Sequence, residues 1–148
     1  MKYTHTNIVS HDWEQLAQFY IQVFNCKIVP PIRNQSGDWL SQGTGVEKAH
    51  LKGAHLLLPG HGENGPTLEI YEYSTTLSQI PVAPNQRGLG HLAFEVEDVA
   101  ATLKAVEEHG GSRLGELTER HIPGVGKITF IYVRDPDGNL IELQNWEK

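Results

Sequence analysis

The chain has 148 residues, with 12 Lys and Arg against 18 Asp and Glu, giving a net charge of −6. That length suits one domain, or two small modules sharing a core. The acidic balance disfavours nonspecific binding to nucleic acid or to an anionic membrane. The single cysteine, Cys26, excludes an intramolecular disulfide, and neither a basic leader with an apolar core nor a run of roughly 20 apolar residues is present. The expectation is a cytoplasmic protein acting on a small molecule, with no nucleic-acid or membrane partner.

Residues Tyr3 to Val9 read as a strand. Asp12 is an N-cap with Gln15 three residues on, and Leu16, Phe19, Tyr20, Val23 and Phe24 follow at helical spacing. Asn25 closes that helix. Lys27 to Val29 is extended, Pro30-Pro31 breaks it, and Asn34 to Gly45 is polar and Gly-containing, which predicts a loop or lid. His50 to Leu58 and Thr67 to Tyr73 are strands around a Gly- and Pro-rich turn. Ser74 to Gly90 is a linker. The order then restarts, with a strand from His91 to Val96, a helix capped by Asp98 and ended by Gly110-Gly111, and strands over Ser112 to Leu117, Ile128 to Val133 and Leu140 to Trp146. Asp135-Pro-Asp-Gly-Asn139 is a turn signal before the last strand. Both halves read β-α-β-β-β, and the internal repeat is the main organising fact.

The repeat carries chemistry at matching places. His5 opens the first strand and Asp12 follows at seven; His91 opens its counterpart and Asp98 again follows at seven. Late in each half an acid interrupts an apolar triplet, Leu68-Glu69-Ile70 and Ile141-Glu142-Leu143. Side chains alternate faces along a strand, so Glu69, His91 and Glu142 oppose the apolar residues of their strands, and Ile8 opposes His5. The apolar faces suit packing on each module's helix, leaving the other faces to line a site. Singly, a strand histidine or an alternating glutamate is most often a solvated or hydrogen-bonded residue. The recurrence of His, Glu, His, Glu in one order argues for a shared site. Two imidazoles and two carboxylates suit one borderline divalent ion, Zn, Ni, Co, Mn or Fe, whereas Ca or Mg prefers oxygen alone. Four protein ligands leave room for substrate, and a carboxylate beside the ion can move a proton next to a polarised carbonyl. The remaining histidines, His11, His50, His55, His61, His109 and His121, read as structural or exposed. Tyr3, Tyr71 and Tyr73 share face parity with His5 and Glu69 and suit either substrate binding or sheet packing; Tyr71 is the substrate-binding candidate.

On these residues the chain resembles the vicinal oxygen chelate superfamily, which includes glyoxalase I, fosfomycin and bleomycin resistance proteins, methylmalonyl-CoA epimerase and extradiol dioxygenases. The resemblance rests on His5 with the helix ending in Phe19 to Phe24, on Leu68-Glu69, on Gly90 to Phe94, and on Asp135 to Leu143. It implies an α+β fold in which residues 1–148 form one glyoxalase-like domain. Paired βαβββ modules, about 1–80 and about 86–148, would form a cupped mixed sheet around a metal site, and the protein would be a homodimer. Glu69 stands where metal-binding glyoxalase I has Glu, the CoA epimerase has Gln, and dioxygenases and fosfomycin-type enzymes usually have no ligand, so the motif is nearest to glyoxalase I. The implied activity is a metal-dependent lyase or isomerase, with His5, Glu69, His91 and Glu142 as ligands, Glu142 as the preferred base and Glu69 as the second. The alternatives are an extradiol-type dioxygenase and a metal-free ligand-binding resistance protein. Bacterial glyoxalase I has an Arg four residues after its first ligand to hold glutathione carboxylate; here that residue is Val9. Arg33, Arg87, Lys127 and Arg134 are the cations left to hold a substrate acid.

Overall fold

The computed structural model describes residues 1–78 and 80–147. It is an α+β fold with three helices and two mixed sheets among the described residues, divided into two compact units, Met1–Gln79 and Ile80–Lys148. No helix among the described residues is long and apolar enough to cross a membrane.

In the first unit the elements run β1 (His5–Val9), α1 (Trp13–Phe24), β2 (Lys27–Ser36), α2 (Asp38–Thr44), β3 (His50–Leu57) and β4 (Thr67–Tyr73). The sheet order is β1-β4-β3-β2, with β1 parallel to β4 and the other pairs antiparallel. Asp12 caps α1, its carboxylate accepting from the Gln15 amide at 3.0 Å, and Asn25 ends it in the left-handed conformation. Ile8, Ala54, Leu56, Leu68 and Ile70 form the buried face of the sheet, and Leu16, Phe19, Tyr20 and Phe24 of α1 are buried with them. A buried Val/Leu/Ile/Phe side chain contributes roughly 1.5–3 kcal/mol, so this apolar layer fixes the register and turns the opposite face to the site.

The second unit runs β5 (Leu92–Glu95), α3 (Val99–Glu108), β6 (Ser112–Arg113), β7 (Thr118–Ile122), β8 (Gly126–Arg134) and β9 (Leu140–Glu147). The order is β5-β9-β8-β6, with β7 also on β8, and β5 is parallel to β9. Thus in each unit the first strand lies beside the last. Val99, Leu103 and Val106 of α3 are buried with Ile131, Val133, Ile141 and Leu143. The Asp135 turn forms as its composition predicts. The carboxylate accepts from the amides of Asp137 and Asn139 at 3.0 and 2.9 Å and from the Asn139 side chain at 2.8 Å, and Gly138 takes φ 89°.

Three sequence expectations are corrected. Pro30-Pro31 does not end β2, which continues to Ser36 across a register shift between Val29 and Arg33. Two prolines bring no amide donors, so the edge strand bulges there and resumes pairing beyond. Asn34 to Gly45 is not a loop or lid: its start belongs to β2, and its end forms α2 between Gly37 and a left-handed Gly45. Leu40 of α2 packs with Ala49 and Leu51, with Val46, Tyr71 and Tyr73 against them. One buried apolar residue in a seven-residue helix leaves no periodicity to read. Finally, the strand expected over Ser112 to Leu117 is only two residues long, and β7 was not foreseen. The amides of Leu114 and Gly115 both donate to the Tyr132 carbonyl at 3.0 Å, a bulge that divides one edge of the sheet into β6 and β7.

Burial explains two testable properties of the first unit. Cys26 is 2 % exposed, and burial pushes its thiol from 9.0 up to about 12. Because only the thiolate is a nucleophile, native protein at pH 8 should react with a disulfide reagent only as fast as it opens, and urea should accelerate labelling. Prompt stoichiometric labelling in native buffer would contradict this. The same shift implies stability lost above about pH 9, where the unfolded thiol ionises and the folded one does not. Gly53, in β3, has φ 156°, and a Cβ there would lie 2.0 Å from the Ile70 carbonyl oxygen and 2.5 Å from Tyr71 Cδ1. Gly53→Ala should therefore cost roughly 2–5 kcal/mol in urea unfolding, from backbone strain and overpacking together.

Candidate active site

The sheet face opposite α1 carries the first cluster. Register aligns Asn7 of β1, Glu69 of β4 and His55 of β3 across three strands, with His5 beside Thr67 two residues along. Glu69 is buried. Its Oε2 lies 3.3 Å from His5 Nε2 and 3.4 Å from Asn7 Nδ2; its Oε1 lies 2.9 Å from His55 Nε2 and accepts from the Tyr71 hydroxyl at 3.2 Å. His55 Nε2 is also 2.9 Å from the Tyr71 oxygen, and its Nδ1 is 3.2 Å from the Thr67 hydroxyl. A neutral imidazole protonated at Nε2 satisfies all of these contacts; that tautomer is assigned from the network. Burial lowers the pKa of His55, an effect to which Arg33 and His5 add and which Glu69 opposes. Burial likewise pushes the Tyr71 hydroxyl up to about 12, helped by the charge and hydrogen bond of Glu69. Gly53 pairs with Tyr71, and the missing side chain is what lets that ring lie over the strand toward His55.

The second unit repeats part of this arrangement. Register aligns Ala93, Glu142 and Tyr132. Glu142 Oε2 lies 2.9 Å from His91 Nε2, and the His91 ring sits 4.8 Å from that of Tyr132. Tyr132 thus stands where His55 stands in the first unit, and Ala93 where Asn7 stands. Burial raises the Tyr132 pKa, with Glu142 adding to the effect. The edge strand of each sheet bulges beside this position, at Val29/Arg33 next to His55 and at Leu114/Gly115 next to Tyr132.

Each sequence-predicted site residue has a place in one of these clusters: His5, Glu69 and Tyr71 in the first unit, His91 and Glu142 in the second. His55, read from the sequence as structural or exposed, is half-buried and a direct partner of Glu69, a pairing the sequence did not indicate. His50, five residues away on the other face, bonds Asn34 Oδ1 at 2.7 Å instead. Among the four candidate cations, Lys127 is paired with Glu119 and Glu147, and Arg134 donates to the carbonyls of Gly138 and Val82. Arg33 donates to the Pro31 carbonyl and stands opposite Gly53, on the Glu69 face, where its charge acts on both His55 and Tyr71.

Among the described residues no three His, Cys, Asp or Glu side chains form a ready-made metal cluster. The pairs nevertheless fit a metal by donor chemistry and spacing. Two ligand atoms each about 2.0–2.2 Å from one ion, in octahedral or tetrahedral geometry, lie about 2.8–3.6 Å apart. The separations in His5–Glu69 and His91–Glu142 are 3.3 and 2.9 Å. Imidazole nitrogen with carboxylate oxygen is the donor mixture of a borderline divalent ion.

Two units with one strand order, each facing a histidine toward a glutamate across parallel first and last strands, define a duplicated α+β protein with its polar groups on the sheet faces. The chain belongs to the Glyoxalase/Bleomycin resistance protein/Dioxygenase superfamily, whose family model matches residues 2–143. It is 27 % identical over 143 residues to a probable lactoylglutathione lyase of Vibrio parahaemolyticus, covering 94 % of this chain and 86 % of that protein. Its fold is similar to the crystal structure of a glyoxalase family protein from Bacillus cereus, with TM-score 0.84 at 20 % identity, covering 100 % of this chain and 95 % of the other. A fosfomycin resistance protein of Listeria monocytogenes, solved with Mn(II) and sulfate, has TM-score 0.56 at 18 % identity over 99 % of this chain and 93 % of that one.

Proposed function

We propose that the chain is a metal-dependent lyase or isomerase of glyoxalase type, which moves a proton next to a carbonyl. The observation that carries the reading is the His–Glu pair found at the same sheet position in both units, His5 with Glu69 and His91 with Glu142. The name of the Vibrio relative supports a glutathione adduct of a 2-oxoaldehyde as the first substrate to test. The Mn(II) in the Listeria protein supports a divalent ion as the cofactor.

In this reading His5, Glu69, His91 and Glu142 ligate one Zn, Ni, Co, Mn or Fe ion. The bound ion supplies polarisation of the substrate carbonyl. Glu142 takes the proton from the adjacent carbon and returns it to the neighbouring one. The choice of Glu142 over Glu69 is supported by the number of groups that hold each carboxylate. Glu69 Oε1 receives both His55 and Tyr71, whereas Glu142 faces His91. Arg33 holds an acidic group of the substrate, taking the place that Val9 cannot fill. Dimerisation and a cytoplasmic location complete the reading on family grounds.

Metal analysis of purified protein, followed by an assay with the glutathione–methylglyoxal adduct, tests it. About one divalent ion per chain and metal-dependent turnover are expected. Tight binding of ligands by a protein that takes up no ion would favour a sequestering role, and oxygen consumption with catechols would favour ring cleavage.

A further inference from the structure

We propose that His55 and Tyr71 are positioning residues for Glu69, pinning its Oε1 so that Oε2 alone is presented to the ion beside His5. This rests on the metal reading above and adds to it two residues and a division of labour between the carboxylate oxygens. Oε1 receives two donors from one side, His55 Nε2 at 2.9 Å and the Tyr71 hydroxyl at 3.2 Å, while Oε2 faces His5 Nε2 at 3.3 Å and takes the longer contact from Asn7 Nδ2 at 3.4 Å. His55 and Tyr71 are themselves 2.9 Å apart and brace each other, and Thr67 anchors the far side of the imidazole at 3.2 Å. The glycine at position 53 is built into the arrangement, since any Cβ there would collide with the Tyr71 ring. A carboxylate held this way cannot swing, so it is suited to a fixed ligand and unsuited to carrying a proton. Among the described residues no equivalent clamp is built around Glu142: its cross-strand neighbours are Ala93, which has no polar side chain, and Tyr132, whose ring lies against His91. Partners of metal ligands orient them, and losing one typically costs about 10- to 100-fold in metal affinity.

The test uses the full chain stripped of metal and titrated with Co(II) and Zn(II) against a competing chelator. His55→Leu should weaken both ions by about 10- to 100-fold, and Tyr71→Phe should weaken them by less. His55→Gln, whose amide can still donate to Oε1, should recover most of the loss. His55→Leu and Tyr71→Phe together should fall short of the product of their separate effects, because both act on one oxygen. His50→Leu, on the same strand but the other face, should leave the affinity unchanged and so controls for disturbance of the strand. The visible spectrum of the Co(II) protein should be the same in wild type and His55→Gln, because His55 is not a ligand. Should His55→Leu not fold, His55→Gln and Tyr71→Phe carry the measurement. Wild-type affinity in the folded His55 and Tyr71 variants, with only the melting temperature of the metal-free protein lowered, overturns the proposal. So does a His55→Gln protein as defective as His55→Leu with an altered spectrum, which would make His55 a ligand. A wild-type chain that takes up neither ion overturns the metal reading itself, and is distinguishable because no variant is needed to see it.

Discussion

Glu142→Gln should lower turnover by about 10²- to 10⁴-fold, the usual contribution of a positioned general base, while the protein keeps about one metal ion per chain. The carboxamide has nearly the size of the carboxylate and retains an oxygen for the ion, but it is a very poor base. Substrate binding should change far less than the chemical step, so the loss should appear in kcat with KM near that of wild type. The neighbourhood favours a clean experiment. Glu142 stands 2.9 Å from His91 Nε2, and a glutamine of nearly the same shape keeps its oxygen beside that nitrogen. Metal content has to be read on the same sample, because loss of the ion would also abolish activity. A metal-replete Glu142→Gln protein with near wild-type turnover would remove Glu142 as the base. The clamp on Glu69 argues against that carboxylate, the second candidate, as a substitute, so such a result would count against a glutamate base altogether.

The second large effect is expected from the histidines. His5→Ala and His91→Ala should each reduce metal affinity by more than the roughly 10- to 100-fold attributed to a supporting partner, since each removes a nitrogen donor outright. Both variants should remain folded: His5 and His91 are among the more exposed groups of their clusters, with 43 % and 31 % of the side chain accessible. The Glu69 and Glu142 carboxylates then keep water or other partners. Equal losses in the two variants would mean that one ion depends on a residue from each unit. A protein that loses one ion of two in each variant would instead have separate sites, and undiminished binding in both would falsify the metal assignment.

The parts of the fold carried by periodic apolar residues were legible in the sequence. The alternation in Leu68-Glu69-Ile70 and Ile141-Glu142-Leu143 places both glutamates on the face away from the helix, because burial of their neighbours permits no other register. Asp12 and Asp98 were legible as caps for the same local reason, each accepting from an amide three residues on. His55 was not legible. Its role depends on standing directly opposite Glu69, and that pairing is set by the nine residues between β3 and β4, whose conformation no periodicity constrains. Nor was α2, whose single buried leucine is fixed by packing on Tyr71 and Tyr73 from elsewhere in the unit. The bulge at Pro30-Pro31 was read as a strand end, because prolines mark an interruption without saying whether pairing resumes, and the one at Leu114 and Gly115 lay unread inside the strand expected over Ser112 to Leu117.

The side-by-side placement of first and last strands has a consequence for how the chain is made. His5 pairs beside Thr67, and Leu92 beside Ile141. While a ribosome is still adding residues 10–66, the segment that becomes β1 has no partner, and its backbone donors must remain with water or with a chaperone. Pairings this remote in sequence are entropically late events. Each polar cluster is therefore among the last features of its unit to form, and a nascent chain stopped short of Thr67 should hold a helix and a hairpin edge but no His5–Glu69 pair. Quality control that senses an unpaired strand would read completion of the chemistry and completion of the unit as one event.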